Sequence, residues 1–198
     1  DAKVPVDFET DPEAAHVKEI NAYLYENFEK PAKGHTGGEP VTTKRERFDK
    51  GGLSREFPSK FIPLSIPSDW GSITGEWVQA KNADPDKRIL YIHGGAFTVG
   101  SCYSHRSITS KLAELTGASV CAINYRLMPE NKRMDSVDDS RIAYRWILEN
   151  GPDGPFTANK LAVAGDSAGG NLTLSLSAWV RDQVKRNKSS DLRAPDAV

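Results

Sequence analysis

The sequence has few cysteines and no long apolar run. Only Cys102 and Cys121 are cysteines among its 198 residues, which is too few for a disulfide framework. We therefore expect two free thiols and a reducing compartment, the cytoplasm. No apolar stretch approaches the ~20 residues that a membrane-spanning helix needs, and the acidic start, with Asp1, Asp7 and Glu9, is unlike a secretory signal.

An excess of either charge is also lacking. Lys and Arg together number 26 and Asp and Glu 27, for a net charge of −1. This balance gives no electrostatic reason to expect a nucleic acid or an anionic membrane surface as a partner. With 38% hydrophobic and 27% charged residues, the composition is that of a globular protein.

The first part of the chain has few apolar residues of its own. A helix is predicted from Asp11-Pro12-Glu13, an acidic start with proline in the first turn, to Lys30-Pro31. A second short, charged helix is predicted over residues 42–50. We therefore expect residues 1–55 to form a helical segment that lies on another part of the protein, and residues 56–198 to form an α/β domain.

From Pro58 onwards, short strands alternate with helices. Strands are predicted over residues 61–66, 73–79, 88–92, 119–124 and 160–164, and the last three of these are apolar on both faces, as central parallel strands are. Three helices separate or follow these last strands. The order predicts right-handed βαβ units and a mostly parallel sheet flanked by helices.

Two local features predict how those helices pack and begin. The first of them carries Ile108, Leu112 and Leu115 on one side and ends at Gly117, a favourable residue for a helix end. In the second, Ser136 with an aspartate three positions later, Asp139, resembles a capping box.

One Gly-x-Ser-x-Gly motif lies between a strand and a helix. A chain of this length matches three such fixed positions by chance roughly once in fifteen, so its context matters more than the match. Gly165-Asp166-Ser167-Ala168-Gly169 directly follows the strand at 160–164 and precedes a strong helix, as a nucleophile elbow requires. We therefore predict Ser167 as a catalytic nucleophile; the alternative is a glycine-rich turn in which the serine only caps the helix.

A second glycine motif, His93-Gly94-Gly95-Ala96, follows the strand at 88–92. Successive glycines allow the main chain to approach a substrate closely, and backbone amides there stabilise the oxyanion of acyl transfer. The predicted oxyanion-hole donors are the amides of Gly94, Gly95 and Ala168. A glycine-rich turn without a ligand would explain either motif alone, but not both at adjacent strand ends.

Together these motifs resemble one family. The stretches His93–Phe97, Tyr125–Glu130 and Gly165–Leu172 are similar to those of the hormone-sensitive-lipase-like (bacterial family IV) esterases, which have the α/β-hydrolase fold. The resemblance covers about residues 60–187. It implies an N-terminal helical cap over the acyl pocket, short- to medium-chain acyl esters as substrates, and no metal or organic cofactor.

The chain departs from that family at two positions. Ala96 stands where the family often has a third glycine, and Met128 stands where it usually has alanine. Both changes are small and leave the predicted site unaltered. Near the second of them, Arg126 and Glu130 are expected to hold neighbouring loops together rather than to do chemistry.

A base for the serine is lacking. In the α/β-hydrolase fold the acid and then the histidine follow the serine in the chain, yet no histidine follows Ser167. Of the four that precede it, His93 is expected to brace its loop and His105 to line the pocket or cap a helix. His16 and His35 are expected at the surface or in packing contacts.

The last residues of the sequence resemble the beginning of another core strand. Residues 194–198 follow a helix and would continue the sheet. An α/β-hydrolase sheet that ended here would leave an exposed, unpaired parallel edge, which proteins normally avoid. We therefore expect the chain to be truncated at its C-terminus, with further chain carrying the acid, the histidine and the rest of the cap.

Several functional classes are compatible with these patterns. The leading hypothesis is a serine carboxylesterase acting through an acyl-enzyme on Ser167, with a small-molecule ester and the remaining C-terminal part of the same protein as partners. An amide hydrolase or a deacetylase would use the same site. A catalytically silent small-molecule binding protein of the same fold is the alternative from a different class, and a homodimer is an assembly that the sequence permits.

Overall fold

The structure, a computed structural model, describes residues 14–26, 38–186 and 192–198. The chain divides into two compact units, residues 1–44 and residues 45–198. The first unit contains α1 (Ala14–Leu24) and the beginning of α2 (Val41–Leu53). The α2 helix confirms the short charged helix predicted there, while the helix end predicted at Lys30-Pro31 lies outside the described residues.

The second unit is built on a five-stranded sheet. In chain order its strands are β1 (Ser59–Ser68), β2 (Gly71–Ala80), β3 (Asp84–Ile92), β4 (Ala118–Asn124) and β7 (Lys160–Gly165), while β5 (Asn150–Gly151) and β6 (Gly154–Pro155) form a separate small hairpin. The sheet order is β1-β2-β4-β3-β7. β3 pairs in parallel with β4 and β7, whereas β2 is antiparallel to both β1 and β4. The predicted α/β fold is confirmed.

The central position of β3 follows from its side chains. Leu90 and Ile92 belong to one apolar cluster, Ile89 and Tyr91 belong to another, and all four are buried. A strand that buries both faces needs a layer on each side, as parallel α/β sheets provide. The carboxyl end of β3 therefore opens in the interior of the sheet rather than at its edge.

Three long helices complete this unit: α3 (Arg106–Thr116), α4 (Arg133–Glu149) and α5 (Ser167–Lys185). The predicted end of α3 is confirmed, because Gly117 caps it with a φ of 65°. The predicted apolar side of α3 is wrong for Ile108 and Leu115, which are exposed, while Leu112 packs against a buried cluster as predicted. The helix instead buries the small side chains Thr109, Ser110 and Ala113, which let its backbone lie close to the sheet.

The predicted capping box of α4 is also wrong. The helix begins before Ser136, at Arg133, and the Asp135 carboxylate accepts the amide hydrogen of Lys132 at 2.8 Å. The other residue of the predicted box, Asp139, is fully buried and forms an ion pair at 2.8 Å with an arginine that precedes the helix, Arg126. This tertiary partner, which no local pattern reveals, accounts for the acidic residue at that position.

The last described residues lie beside β7. The amide of Val163 donates to the Ala197 carbonyl at 3.0 Å, and the amide of Asp196 donates to the Leu161 carbonyl at 2.7 Å. Ala197 forms a parallel bridge with Ala162. Residues 196 and 197 therefore pair with β7 where another strand is predicted, through a single bridge rather than a full strand.

Both cysteines are free and buried. Within the described ranges, no helix is both long enough and apolar enough to cross a membrane.

Candidate active site

The two glycine motifs meet at neighbouring strand ends. β3 and β7 run in parallel, with Ile92 opposite Gly165. The loop that begins at His93 and the turn that carries Ser167 therefore leave the sheet side by side. Adjacent carboxyl ends of parallel strands are where ligands bind in open α/β sheets.

Ser167 occupies a strained turn. Its φ is 51°, in the left-handed region that residues with side chains rarely adopt, and its side chain is exposed. A side chain at Gly165 or at Gly169 would collide with the Ile92 carbonyl oxygen. Glycine on both sides of the serine thus allows the turn to pack against the end of β3, which is the geometry of the predicted elbow.

The loop after β3 is strained as well. Ala96 and Phe97 have φ values of 52° and 61°. Together with Ser167 they are the non-glycine residues with positive φ in the part of the chain that the structure describes. Such strain clusters at functional sites because only surrounding contacts can hold it. The backbone therefore locates the candidate active site independently of the motifs.

Asp166 joins the loop to the turn. Its Oδ1 accepts hydrogen bonds from the Gly94 amide at 2.9 Å and from the Tyr91 hydroxyl at 2.7 Å, and it lies 3.5 Å from His105 Nε2. Burial opposes ionisation of this carboxyl, but the hydrogen bonds from His105, Tyr91 and Gly94 hold its pKa well below its ordinary value. Asp166 is therefore a carboxylate at neutral pH.

The three predicted oxyanion donors differ in whether their amides already have a hydrogen-bond acceptor. The Gly94 amide already has an acceptor in Asp166 Oδ1, and it would have to leave that carboxylate in order to bind a substrate oxygen. The Gly95 amide has no acceptor among the described residues. Ala168 is the second residue of α5, where a helix amide lacks an intrahelical acceptor and the helix dipole favours negative charge. The role of each donor stays a prediction.

His93 braces the loop from below. Its ring is 1% exposed and stacks on Tyr125, with ring centroids 4.3 Å apart. Its Nδ1 lies 2.6 Å from the Gly94 carbonyl oxygen, and the Tyr125 hydroxyl donates to the His93 carbonyl at 2.9 Å. Burial lowers the pKa of His93 to about 4. A neutral imidazole therefore lies between the Gly94 carbonyl and the Tyr125 ring.

Arg45 binds the far side of the loop. Its Nε donates to the Thr98 carbonyl at 2.8 Å and its Nη2 donates to the Met128 carbonyl at 2.9 Å. The same guanidinium holds both carboxylate oxygens of Glu130, at 2.9 and 2.8 Å. Glu130 thus links two loops through Arg45, which confirms its predicted role.

Arg126 also connects separate segments. Its guanidinium binds the Asp139 carboxylate in α4. On its other side it lies over the Trp70 ring, 4.3 Å from the ring centre, in the turn between β1 and β2. The predicted structural role of Arg126 is therefore confirmed.

Sequence reasoning missed Tyr91, Arg45 and the role of the Asp166 carboxylate. Asp166 lies inside a motif whose glycines and serine carry the prediction, and Tyr91 is predicted only as part of a buried strand. Their meeting point depends on the register of β3 and β7, which no spacing within either motif encodes. The sequence offers one sign of this role: Asp166 is a charged residue between Gly165 and Ser167, inside the turn.

Of the remaining histidines, His105 is the one that the structure places at the site. His105 precedes α3 without forming a side-chain cap, and its ring lies beside Asp166 instead. His35 lies outside the described residues, and the side chain of His16 is not described either.

The polar groups at these strand ends include backbone amides, the Ser167 hydroxyl, the Asp166 carboxylate, two imidazoles and two tyrosine hydroxyls. No group of three or more His, Cys, Asp or Glu side chains within the described ranges is arranged to hold a metal ion. The serine hydroxyl and the backbone amides suit acyl transfer, in which a hydroxyl attacks and amides stabilise the resulting oxyanion.

Comparison with known proteins agrees with this geometry. A family profile described as alpha/beta hydrolase fold matches residues 89–194, which is more than half of the chain. The chain therefore belongs to the α/β-hydrolase family, and its relatives confirm its resemblance to the hormone-sensitive-lipase-like esterases.

Two curated relatives are hydrolases by name. An acetyl-hydrolase of Streptomyces hygroscopicus is 36% identical over 149 residues, covering 75% of this chain and 47% of the relative. An ethyl acetate hydrolase of Pseudomonas putida is 41% identical over 88 residues, covering 44% of this chain and 28% of the relative.

Solved esterase structures share the fold. An esterase of Pyrobaculum calidifontis superposes with a TM-score of 0.67 at 32% identity, covering 80% of this chain and 52% of that one. An esterase/lipase from an uncultured bacterium superposes with a TM-score of 0.70 at 30% identity, covering 94% and 56%. The chain spans about half the length of these two esterases and of the acetyl-hydrolase.

Proposed function

We propose that the intact protein is a serine carboxylesterase that hydrolyses short- to medium-chain acyl esters, with Ser167 as its nucleophile. The observation that carries this proposal is the left-handed Ser167 at the junction of β7 and α5, directly beside the strained loop after β3. The esterase and acetyl-hydrolase names of the relatives support the same reaction class.

The proposed reaction has two steps. A base removes the proton of Ser167 Oγ as this oxygen attacks the ester carbonyl carbon, and the alcohol leaves with that proton. Water then cleaves the acyl–serine bond, which releases the acid and restores the hydroxyl. The base and the acid that orients it are proposed to lie in sequence outside this chain, because no histidine follows Ser167.

The proposed oxyanion hole rests chiefly on the amides of Gly95 and Ala168. Gly94 joins them if its amide turns away from Asp166 when substrate binds. Loss of one such donor typically costs about 3 kcal/mol of transition-state stabilisation. In this arrangement Asp166 and His93 position the loop, and neither reacts with the substrate.

The remaining parts of the proposal concern organisation. Residues 1–55 are proposed as part of a helical cap and residues 56–198 as the first part of the catalytic domain. A cytoplasmic location is supported by the two free, buried cysteines.

The direct test is covalent labelling of the intact protein. We expect a fluorophosphonate to modify Ser167, located by mass spectrometry, and to abolish hydrolysis of a chromogenic acyl ester. Ser167→Ala should remove both the adduct and about 10⁴-fold or more of the turnover, and Ser175→Ala, an exposed serine of the same helix, should change neither. A protein that resists labelling and binds a small ligand tightly without turnover would be the silent binding protein instead.

A further inference from the structure

The guanidinium of Arg133 lies against both elements that build the site. Its Cζ is 3.9 Å from the centre of the Phe97 ring, and Phe97 is two residues beyond Gly95 in the strained loop. Its Nη2 donates to Asn171 Oδ1 at 2.7 Å. Asn171 is one turn after Ser167 in α5, so the two side chains are neighbours on one helix face, with Cβ atoms about 6 Å apart.

Within the part of the chain that the structure describes, that helix face is exposed. Ser167 and Asn171 are both exposed, and Arg133 is half-buried. Through Asn171 and Phe97, the guanidinium therefore contacts both the helix that begins at Ser167 and the loop proposed to hold the oxyanion. A substrate chain that extends from Ser167 along this face of α5 would reach Asn171, the hydrogen-bond partner of Arg133.

Among the described residues, the positive charge of Arg133 has neutral partners. Besides Asn171, it donates from Nη1 to the Ser136 hydroxyl at 3.2 Å. A guanidinium has five N–H donors, and within the described residues no carboxylate lies in ion-pair distance of Arg133. The first acidic residue of α4, Asp135, faces Arg126 instead, at 3.8 Å.

Asp166 does not neutralise Arg133 either. Its carboxylate is already bound by Tyr91 and Gly94 and lies beside His105. A planar fork with unused donors, and with no acidic partner in the described ranges, is an arrangement that can bind a carboxylate in two parallel hydrogen bonds. The aromatic ring against the fork fixes its plane.

We propose that Arg133 forms an anion subsite beside Ser167, and that the enzyme prefers esters whose acyl chain ends in a carboxylate over neutral esters of equal length. This inference rests on the proposed esterase function and names the substrate class of the same site. The carboxylate would accept hydrogen bonds from the free donors of Arg133 while Ser167 attacks the ester carbonyl at the other end of the chain.

The test compares two substrates of matched length with the intact protein. Monomethyl succinate and methyl butyrate each have a four-carbon acyl chain, and they differ in the terminal carboxylate; a pH-stat follows the acid released from each. We expect a higher kcat/KM for monomethyl succinate. Arg133→Gln should lower that kcat/KM about tenfold, mainly through KM, because a charge-assisted hydrogen bond is lost, and should lower that for methyl butyrate far less.

Two further variants separate charge from structure. Arg133→Lys keeps the charge without the fork, and should retain part of the preference. Arg181→Gln removes the same charge from an exposed position near the other end of α5, and should leave the ratio of the two substrates unchanged.

The possible outcomes separate the two proposals. An unchanged substrate ratio in Arg133→Gln overturns the subsite while the proposed function stands, as does an equal loss with both esters, which would mean that Arg133 only positions the loop. Turnover of neither ester by the unaltered protein would overturn the proposed function, and the subsite with it.

Discussion

The Gly94 amide donates to Asp166 Oδ1 at 2.9 Å, and this bond ties the end of β3 to the turn that carries Ser167. The same oxygen accepts the Tyr91 hydroxyl. One carboxylate therefore fixes the distance between the loop and the nucleophile. A change in Asp166 should alter the geometry of the transition state more than the binding of the substrate.

For Asp166→Ala, we expect kcat for a neutral ester to fall about tenfold to a hundredfold, with KM changed less than about threefold, because small displacements of catalytic groups are costly. Steady-state kinetics on the intact protein measure both. Asp166→Asn retains an oxygen acceptor for Gly94 and should lose less. Unaltered kcat in Asp166→Ala would show that the loop holds its position without this carboxylate.

Arg45 should position the same loop from the other side. Arg45→Gln removes the bonds to the Thr98 and Met128 carbonyls and to Glu130. We expect kcat to fall about tenfold with little change in KM, as for other groups that hold a catalytic loop in place. Arg45→Lys should not restore activity, because an ammonium cannot bind two carbonyls and a carboxylate as a planar fork does.

The matched control for Arg45 is Arg55→Gln, at an exposed position, which should be silent in the same kinetic assay. Adding Glu130→Gln to Arg45→Gln should cost less than the two single losses together, since the residues share one interaction. Additive losses would place the two residues in separate roles.

The stability of the protein should fall as the pH drops from about 7 towards 4. Burial lowers the pKa of His93 from 6.5 to about 4, so the unfolded chain binds more protons than the folded chain between these values. Stability from this group is complete above the unfolded pKa and is lost on acidification, with a slope of at most about 1.4 kcal/mol per pH unit.

Urea unfolding at several pH values measures that slope. His93→Asn, which cannot titrate, should be less stable at pH 7 but should show a shallower dependence between pH 7 and pH 4. Equal slopes in the two proteins would mean that His93 titrates alike in the folded and unfolded states.

Gly169 should tolerate no side chain. A Cβ there would collide with the carbonyl oxygens of Ile92 and His93, so Gly169→Ala should destabilise the fold by about 2–3 kcal/mol. Gly170→Ala is the matched control in the same helix turn: its Cβ would lie 3.3 Å from the Gly165 oxygen, and we expect an effect within about 1 kcal/mol. Thermal or urea unfolding compares the two, and equal effects would contradict a special constraint at Gly169.

Patterns of a few neighbouring residues predict much of the fold. The apolar runs of β3, β4 and β7 identify central strands because a strand buried on both faces has no polar alternation. Gly117 marks the end of α3, and the glycines around Ser167 mark a tight turn. In each of these the physical cause lies within about ten residues of chain.

The wrong predictions concern side chains whose contacts are made with residues far away in the sequence. The local pattern predicts Asp139 as part of a cap, but its partner is Arg126. The apolar residues of α3 predict its buried side, yet Leu115 is exposed and the fully buried side chains are small ones, because closeness of approach decides the packing. Neither outcome could follow from helical periodicity.

By itself, the sequence determined the elements, the sharp turn at Ser167 and the glycine loop after β3, since these depend on backbone conformations that nearby residues set. Only the tertiary structure decided that Asp166 accepts the Gly94 amide, that Arg45 holds the loop, and that Arg133 contacts both Phe97 and Asn171. Those relationships depend on strand register and on the packing of helices, which bring together side chains that lie far apart along the chain.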